Sequence, residues 1–148
     1  MSSTEQLTTF YVGSVLFGIE VMKVQEVTGK AIINPVPRAP DFISGLINLR
    51  GQIATAIDLN QLFKHSVEKN DEQMTVVCRS DSGLVSLVVD SIGDVVEVDK
   101  VAFEKTPEII PLAVRKYIKG IYKMNEELMS VLDIEKIFEE LSPDNKRE

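Results

Sequence analysis

The sequence holds a single cysteine (Cys78), a single histidine (His65) and no tryptophan in 148 residues. One cysteine excludes an internal disulfide and fits a reducing compartment such as the cytoplasm. One histidine beside one cysteine cannot furnish the His/Cys ligand sets of zinc sites, so no metal site is expected. Apolar runs are short. The longest, near Leu84–Val89, falls far below the roughly 20 residues of a membrane span, so no membrane insertion is expected. The N-terminus, Met1-Ser-Ser-Thr-Glu-Gln6, has neither the basic start nor the apolar stretch of a signal peptide. Positive charge is in the minority: 16 Lys and Arg stand against 23 Asp and Glu, a net charge of -7. Nucleic acid and anionic membranes are therefore poor partners, because affinity for polyphosphate rests on Lys and Arg releasing counterions.

Motifs for group-transfer chemistry are also missing. There is no G-x-x-x-x-G-K-[ST] phosphate loop, no G-x-G-x-x-G and no G-x-S-x-G. Cys78, in the strand-like run Met74-Thr-Val-Val-Cys-Arg79, reads as a small buried hydrophobe rather than a nucleophile. His65 follows Phe63-Lys64 at what reads as a helix end, where its charge suits the helix dipole. Paired carboxylates can do acid–base work, yet composition nominates no pair among the 23 acids. What remains is an ordinary globular chain of one-domain length, with 44% hydrophobic and 26% charged residues.

An internal repeat organises it. Ile43-Ser-Gly45 through Asp58 to Phe63 lies over the stretch from Ile118 without a gap: Gly45 meets Gly120, Asp58 meets Asp133 and Phe63 meets Phe138. Apolar positions between them match as well, among them Leu49/Met124, Ile53/Leu128, Ile57/Leu132 and Leu62/Ile137. Upstream, Phe17–Val27 lies over Val85–Val95 with a slightly smaller offset, so the second copy carries an insertion between Val95 and Ile118, where Pro107 and Pro111 sit. A period of about 70 residues is too long for a solenoid repeat and points to a duplicated β unit.

Each copy reads as short strands separated by turns. Leu7–Val12 and Val15–Val21 flank Gly13-Ser14, a two-residue hairpin signal. Val24–Val27 follows, then Asn34-Pro-Val-Pro-Arg-Ala-Pro-Asp41, where three prolines deny donors to a ladder. Ile43–Leu49 and Gln52–Ile57 divide at Arg50-Gly51. In the second copy the strands are Met74–Cys78, Leu84–Val89, Val95–Val98, Tyr117–Lys123 and Leu128–Leu132, the first two turning at Ser80–Gly83. Such spacing suggests small barrels or a sandwich. Asp58 and Asp133 each precede apolar residues at helical spacing and read as helix N-caps. Gln61 would complete a capping box for Asp58, whereas Lys136 would not for Asp133. The tail Ser142–Glu148 reads as frayed.

The copies differ where a fold-only account would have them agree. Asn48-Leu-Arg-Gly51 corresponds to Lys123-Met-Asn-Glu126, so the former block is the better functional candidate. Here the chain resembles the chemotaxis coupling protein (CheW) family. Val24-Gln-Glu-Val27, Gly45-Leu-Ile-Asn-Leu-Arg-Gly51 and Ile57-Asp-Leu59 look like its first signature; Leu87-Val-Val-Asp90, Gly120 and Leu132-Asp-Ile134 look like its second. The resemblance runs from Leu7 to Leu141. Where the family often has proline, this chain has Thr55 between Ala54 and Ala56.

The resemblance implies a mainly β fold: two packed five-stranded SH3-like barrels from the duplication, with short helices after each copy. It implies one CheW-like domain over 1–148, with a first barrel near 15–70 on the receptor side and a second near 74–141 on the kinase side, terminal strands being open to exchange. It further implies a non-enzymatic cytoplasmic adaptor without cofactor, recruited to membrane-associated receptor arrays. Such an adaptor links chemoreceptor cytoplasmic tips to the regulatory domain of the histidine kinase CheA. Carried over by position, Val24, Glu26, Gly45, Asn48 and Arg50 are receptor-side candidates, and Val85, Leu87 and Gly120 are kinase-side candidates. Three other readings compete: a regulatory module of a related two-component system, a small carboxylate-based hydrolase, and a nucleic-acid-binding barrel. The start at Met1 and the polar tail favour a free-standing adaptor over a detached module. The hydrolase would show two close carboxylates in a pocket, and the nucleic-acid barrel would need a basic stripe.

Overall fold

The structure is a computed structural model that describes residues 3–29, 31–65 and 73–141; the tail Ser142–Glu148 lies outside them. The leading hairpin is β1 (Thr4–Val12) and β2 (Val15–Glu20), followed by β3 (Val24–Thr28) and a second hairpin, β4 (Ile43–Leu49) and β5 (Gln52–Asp58). The helix α1 (Leu59–Leu62) ends this series. The same succession returns as β6 (Met74–Ser80), β7 (Gly83–Val89), β8 (Ser91–Asp99), β9 (Ile118–Lys123) and β10 (Leu128–Leu132). The added residues of the second copy include α2 (Leu112–Arg115), which starts at Pro111, and α3 (Ile134–Glu140) ends the series.

These strands make two five-stranded sheets, in the orders β3-β6-β7-β5-β4 and β8-β1-β2-β10-β9. The two orders are one order read through the repeat. Each half of the chain sends its leading hairpin into the sheet of the other half. The expected division at 15–70 and 74–141 therefore does not follow the sheets: residues 15–20 pair with β10, and β6 and β7 pair with β3 and β5. Each sheet closes on itself through a segment that follows one edge strand. Asn34 bridges to Leu46 in the sheet containing β3 to β7, and Glu104 bridges to Ile121 in the other. These are called the first and second barrels below.

The exchange follows from the apolar pattern. Leu16–Ile19 is buried without a break, as is Val85–Val89, so both faces of β2 and β7 need cover. Alternate residues obtain it from different sources. Phe17, Ile19, Val85, Leu87 and Val89 enter one large core shared by the two barrels, with Phe10, Ile57, Leu59 and Phe63. Leu16 turns instead into the second barrel's own core with Tyr122, Met129 and Val131, and Val88 into the first barrel's with Ile47 and Ala56. An aromatic series crosses the shared core, Phe17 stacking on Phe10 at 6.1 Å and on Phe63 at 5.1 Å between ring centroids. Thr55 lies in the middle of β5, paired on both sides, where a residue that keeps its N–H suits the ladder.

Both helix caps form. Asp58 Oδ1 accepts from the N–H groups of Asn60 and Gln61 at 3.0 and 3.4 Å, and Asp133 Oδ1 from those of Glu135 and Lys136 at 3.1 and 3.3 Å. The reciprocal half of a capping box at Gln61 does not, because the Asp58 N–H already donates to the Phe42 carbonyl. The Asp133 N–H does the same with Tyr117, the repeat counterpart of Phe42. A polar link joins the barrels as well: Asp90, just past β7, accepts from Asn60 Nδ2 at 3.1 Å and from the Gly13 N–H in the β1–β2 turn.

Candidate functional site

Two of the receptor-side candidates, Glu26 on β3 and Arg50 in the β4–β5 turn, come together at the edges of the first barrel's sheet. On β3, the pairing with β6 slips between Val24, opposite Cys78, and Glu26, opposite Val77. Such a bulge re-aims the side chains beside it. Glu26 meets Arg50, whose Nη1 lies 3.3 Å from its Oε1. The arginine side chain is 85% exposed and the glutamate 20%, so the pair sets a solvent-facing cation on a half-buried carboxylate.

Each residue of Asn48-Leu-Arg-Gly51 has a local task. Leu49 and Gln52 are paired, leaving Arg50-Gly51 as a two-residue turn with φ of 52° and 89°. Positive φ at both central positions is the type I′ pattern that matches strand twist. Arginine seldom adopts it, since a Cβ there crowds the following carbonyl. The Asn48 side chain holds the turn by accepting from the Gly51 N–H at 3.1 Å, and Leu49 packs on the first barrel's core. Arg50 is thus carried in an uncommon backbone conformation by neighbours that brace it. The second copy lacks this arrangement. Met124 N–H closes its hairpin onto the Glu127 carbonyl, and neither Asn125 nor Glu126 has positive φ.

The other candidates divide. Val24 is half-buried against the shared core, so only part of it faces outward. Gly45 is buried at φ +149°, and a Cβ there would overlap the Asn34 carbonyl of the closing bridge. Gly120 is its counterpart: a Cβ would overlap the Phe103 ring and the Glu104 carbonyl of the other bridge. Both glycines let a closing segment pass over a strand, so neither presents a contact group. Val85 and Leu87 are completely buried in the shared core and offer no side chain to a partner, which corrects their placing on a kinase-side surface.

Chemistry has little to work with here. Cys78 is fully buried, and burial pushes its thiol up to about 12, far from a reactive thiolate. His65 lies just past the end of the four-residue α1, as expected, and burial lowers its pKa against the opposing pull of Asp90. Among the described residues no group of three His, Cys, Asp or Glu is gathered to hold a metal, and no helix is long and apolar enough to cross a membrane.

Two features escaped the sequence reading. The Asp90–Asn60 link joins positions 30 residues apart, and its one signal was an acid directly after a strand buried on both faces. A cleft of about 1040 Å³ lies in the second barrel rather than beside Arg50, lined by Tyr11, Asp94, Glu97, Tyr122, Lys123 and Asn125 among others.

Comparison with known proteins agrees with this geometry. The family model described as the CheW-like domain matches residues 6–142. A chemotaxis protein CheW of Treponema pallidum is 30% identical over 138 residues, covering 90% of this chain and 81% of that protein. One of Klebsiella aerogenes is 30% identical over 134 residues, with the same coverage of 90% and 81%. Among solved structures, the scaffolding protein TtCheW from Thermoanaerobacter tengcongensis superposes with a TM-score of 0.79 at 25% identity, over 86% of this chain and 88% of that one.

Proposed function

From the premise that the chain belongs to the CheW family of non-enzymatic chemotaxis scaffold proteins, we propose that it couples chemoreceptor cytoplasmic tips to the histidine kinase CheA and sets the kinase's activity. The observation that carries this reading is the Glu26–Arg50 pair. The turn beneath it is built to present a guanidinium, and the second copy shows that the hairpin closes without one.

The receptor-side surface consists of Val24, Glu26 and Arg50, with Asn48 holding the turn. Arginine suits the task because its planar fork can hold a carboxylate while its face and stem pack against a partner. Half-buried Glu26 fixes one side of the fork and leaves the rest for the receptor. The kinase's regulatory domain binds elsewhere, on the second barrel, and not through Val85 and Leu87, which lie buried on β7 of the first. With no reaction to perform, such a protein acts by binding one kinase state better than another, and the shift it causes is bounded by that difference in affinity. The protein works in the cytoplasm, at receptor arrays. Reconstitution of receptor-bearing membranes, kinase and this protein tests the reading. Arg50→Ala should lose most receptor-dependent kinase control while still binding kinase alone; full control by the variant would overturn the receptor-side assignment.

A further inference from the structure

The second barrel's cleft lies at the repeat counterpart of the Glu26–Arg50 pair. In the first barrel, Val24 stands opposite Cys78 and Val27 opposite Val76, with the register slipping between Val24 and Glu26. In the second, Ile92 stands opposite Phe10 and Val95 opposite Thr8, with a bulge at the same place. Asp94 thus takes the position of Glu26. Asn125 takes that of Arg50, and both Asp94 and Asn125 line the cleft. The carboxylate is retained and the cation is lost. Among the described residues, Lys123 is the one cationic residue in the lining and is engaged with Glu104 at 3.4 Å, and no ion pair includes Asp94. Glu126 and Glu127 add negative charge at the rim, while Met124 and Tyr122 supply apolar wall.

We infer that this cleft receives an arginine side chain carried by a segment of a partner protein, its guanidinium set against Asp94 as Arg50 is set against Glu26. Charge selects the occupant, since the lining is acidic and its lysine is already paired. Size and wall chemistry select a residue on a chain over a small free cation: about 1040 Å³ leaves room for flanking residues, and an arginine stem packs along apolar surface. The first barrel supplies its own arginine; the second takes one from outside. This goes beyond the adaptor reading and stands on the repeat, whichever protein brings the arginine.

The test is a titration of the full chain, followed by backbone amide NMR. One capped nonapeptide carries an arginine between valines, and its twin carries citrulline, which keeps the shape and removes the charge. The arginine peptide should shift amides around Asp94, Tyr122 and Asn125 and bind at least about tenfold more tightly than the twin. Asp94→Asn should weaken it by a similar factor. Transplanting the first-copy turn, Lys123→Asn with Asn125→Arg and Glu126→Gly, should fill the cleft from within and abolish binding. Equal binding of the two peptides, no binding of either, shifts centred elsewhere, or indifference to Asp94→Asn would each overturn the inference. Asp94 is exposed, so its variant remains readable if the transplant fails to fold.

Discussion

Arg50 and Asn125 occupy the same turn position in the two copies, yet Arg50 has a φ of +52° while Asn125 is not among the residues with positive φ. The residue type that tolerates the left-handed region better stands where it is not required. Backbone comfort therefore does not account for the arginine at that turn.

Arg50→Ala should therefore cost under about 1 kcal/mol of stability, as for an exposed ion pair, and sharply reduce receptor-dependent kinase control. Arg50→Gly should equal or exceed the parent in stability, because glycine accepts φ of +52° without strain. Glu26→Arg with Arg50→Glu should regain part of the lost control. Urea unfolding and kinase assays on the same samples separate these effects, and unfolding of Arg50→Ala would reassign the residue to the fold.

Gly45→Ala and Gly120→Ala should behave alike, each losing about 1–3 kcal/mol through overpacking. The obstructing atoms are the Asn34 carbonyl in one case and Phe103 with the Glu104 carbonyl in the other. Thermal melts of both variants check this. A stable Gly45→Ala protein defective only in receptor coupling would restore Gly45 as a contact residue.

Asp133→Ala should remove about 1 kcal/mol by uncapping α3, with kinase binding intact. Asp90→Ala should cost more, about 1.5–3 kcal/mol, because a carboxylate serving two donors in different barrels is lost. Hydrogen exchange at the Gly13 amide should rise selectively in that variant.

Alkaline pH should destabilise the protein. Burial raises Cys78 to about 12, and burial with the Glu5 carboxylate raises Tyr122 to about 12. Groups raised on folding contribute fully below their unfolded values, about 8.5 for Cys and 10 for Tyr. Above those values the unfolded chain gives up protons that the folded chain keeps, and the contribution drains away as pH climbs toward 12. Unfolding free energy should start to fall near pH 9, and Cys78→Ala should make the first part of that fall shallower. A thiol reagent at neutral pH should label Cys78 only after unfolding.

The strands, the caps and the distinctive turn were legible because each rests on neighbours in sequence: Gly13-Ser14 at a hairpin, Asp133 before Ile134, Arg50-Gly51 between alternating runs. Family resemblance brought out Glu26 and Arg50 as candidates; their contact is read from the structure. The destination of each hairpin was not. The near-continuous apolar run Leu84–Val89 says that both faces are buried, but not which barrel covers which face. Val85 and Leu87, placed on a surface by resemblance alone, lie instead in the shared core. The role of the glycines became plain only when the bridges at Asn34 and Glu104 were seen above them.

The exchanged hairpins bear on how such a chain can be divided and how it arose. A piece spanning 1–72 holds three strands of the first barrel and two of the second, so it has no complete sheet to close. The piece 73–148 has the mirror deficit. Neither should fold as a monomer, while a mixture should regain the native spectrum by mutual complementation. By the same logic, a single ancestral unit would have satisfied its sheet by lending its hairpin to a second copy and borrowing one in return. The present chain has the topology of such a reciprocally swapped dimer joined into one chain, with two different turns, Arg50-Gly51 and Asn125-Glu126, at equivalent places.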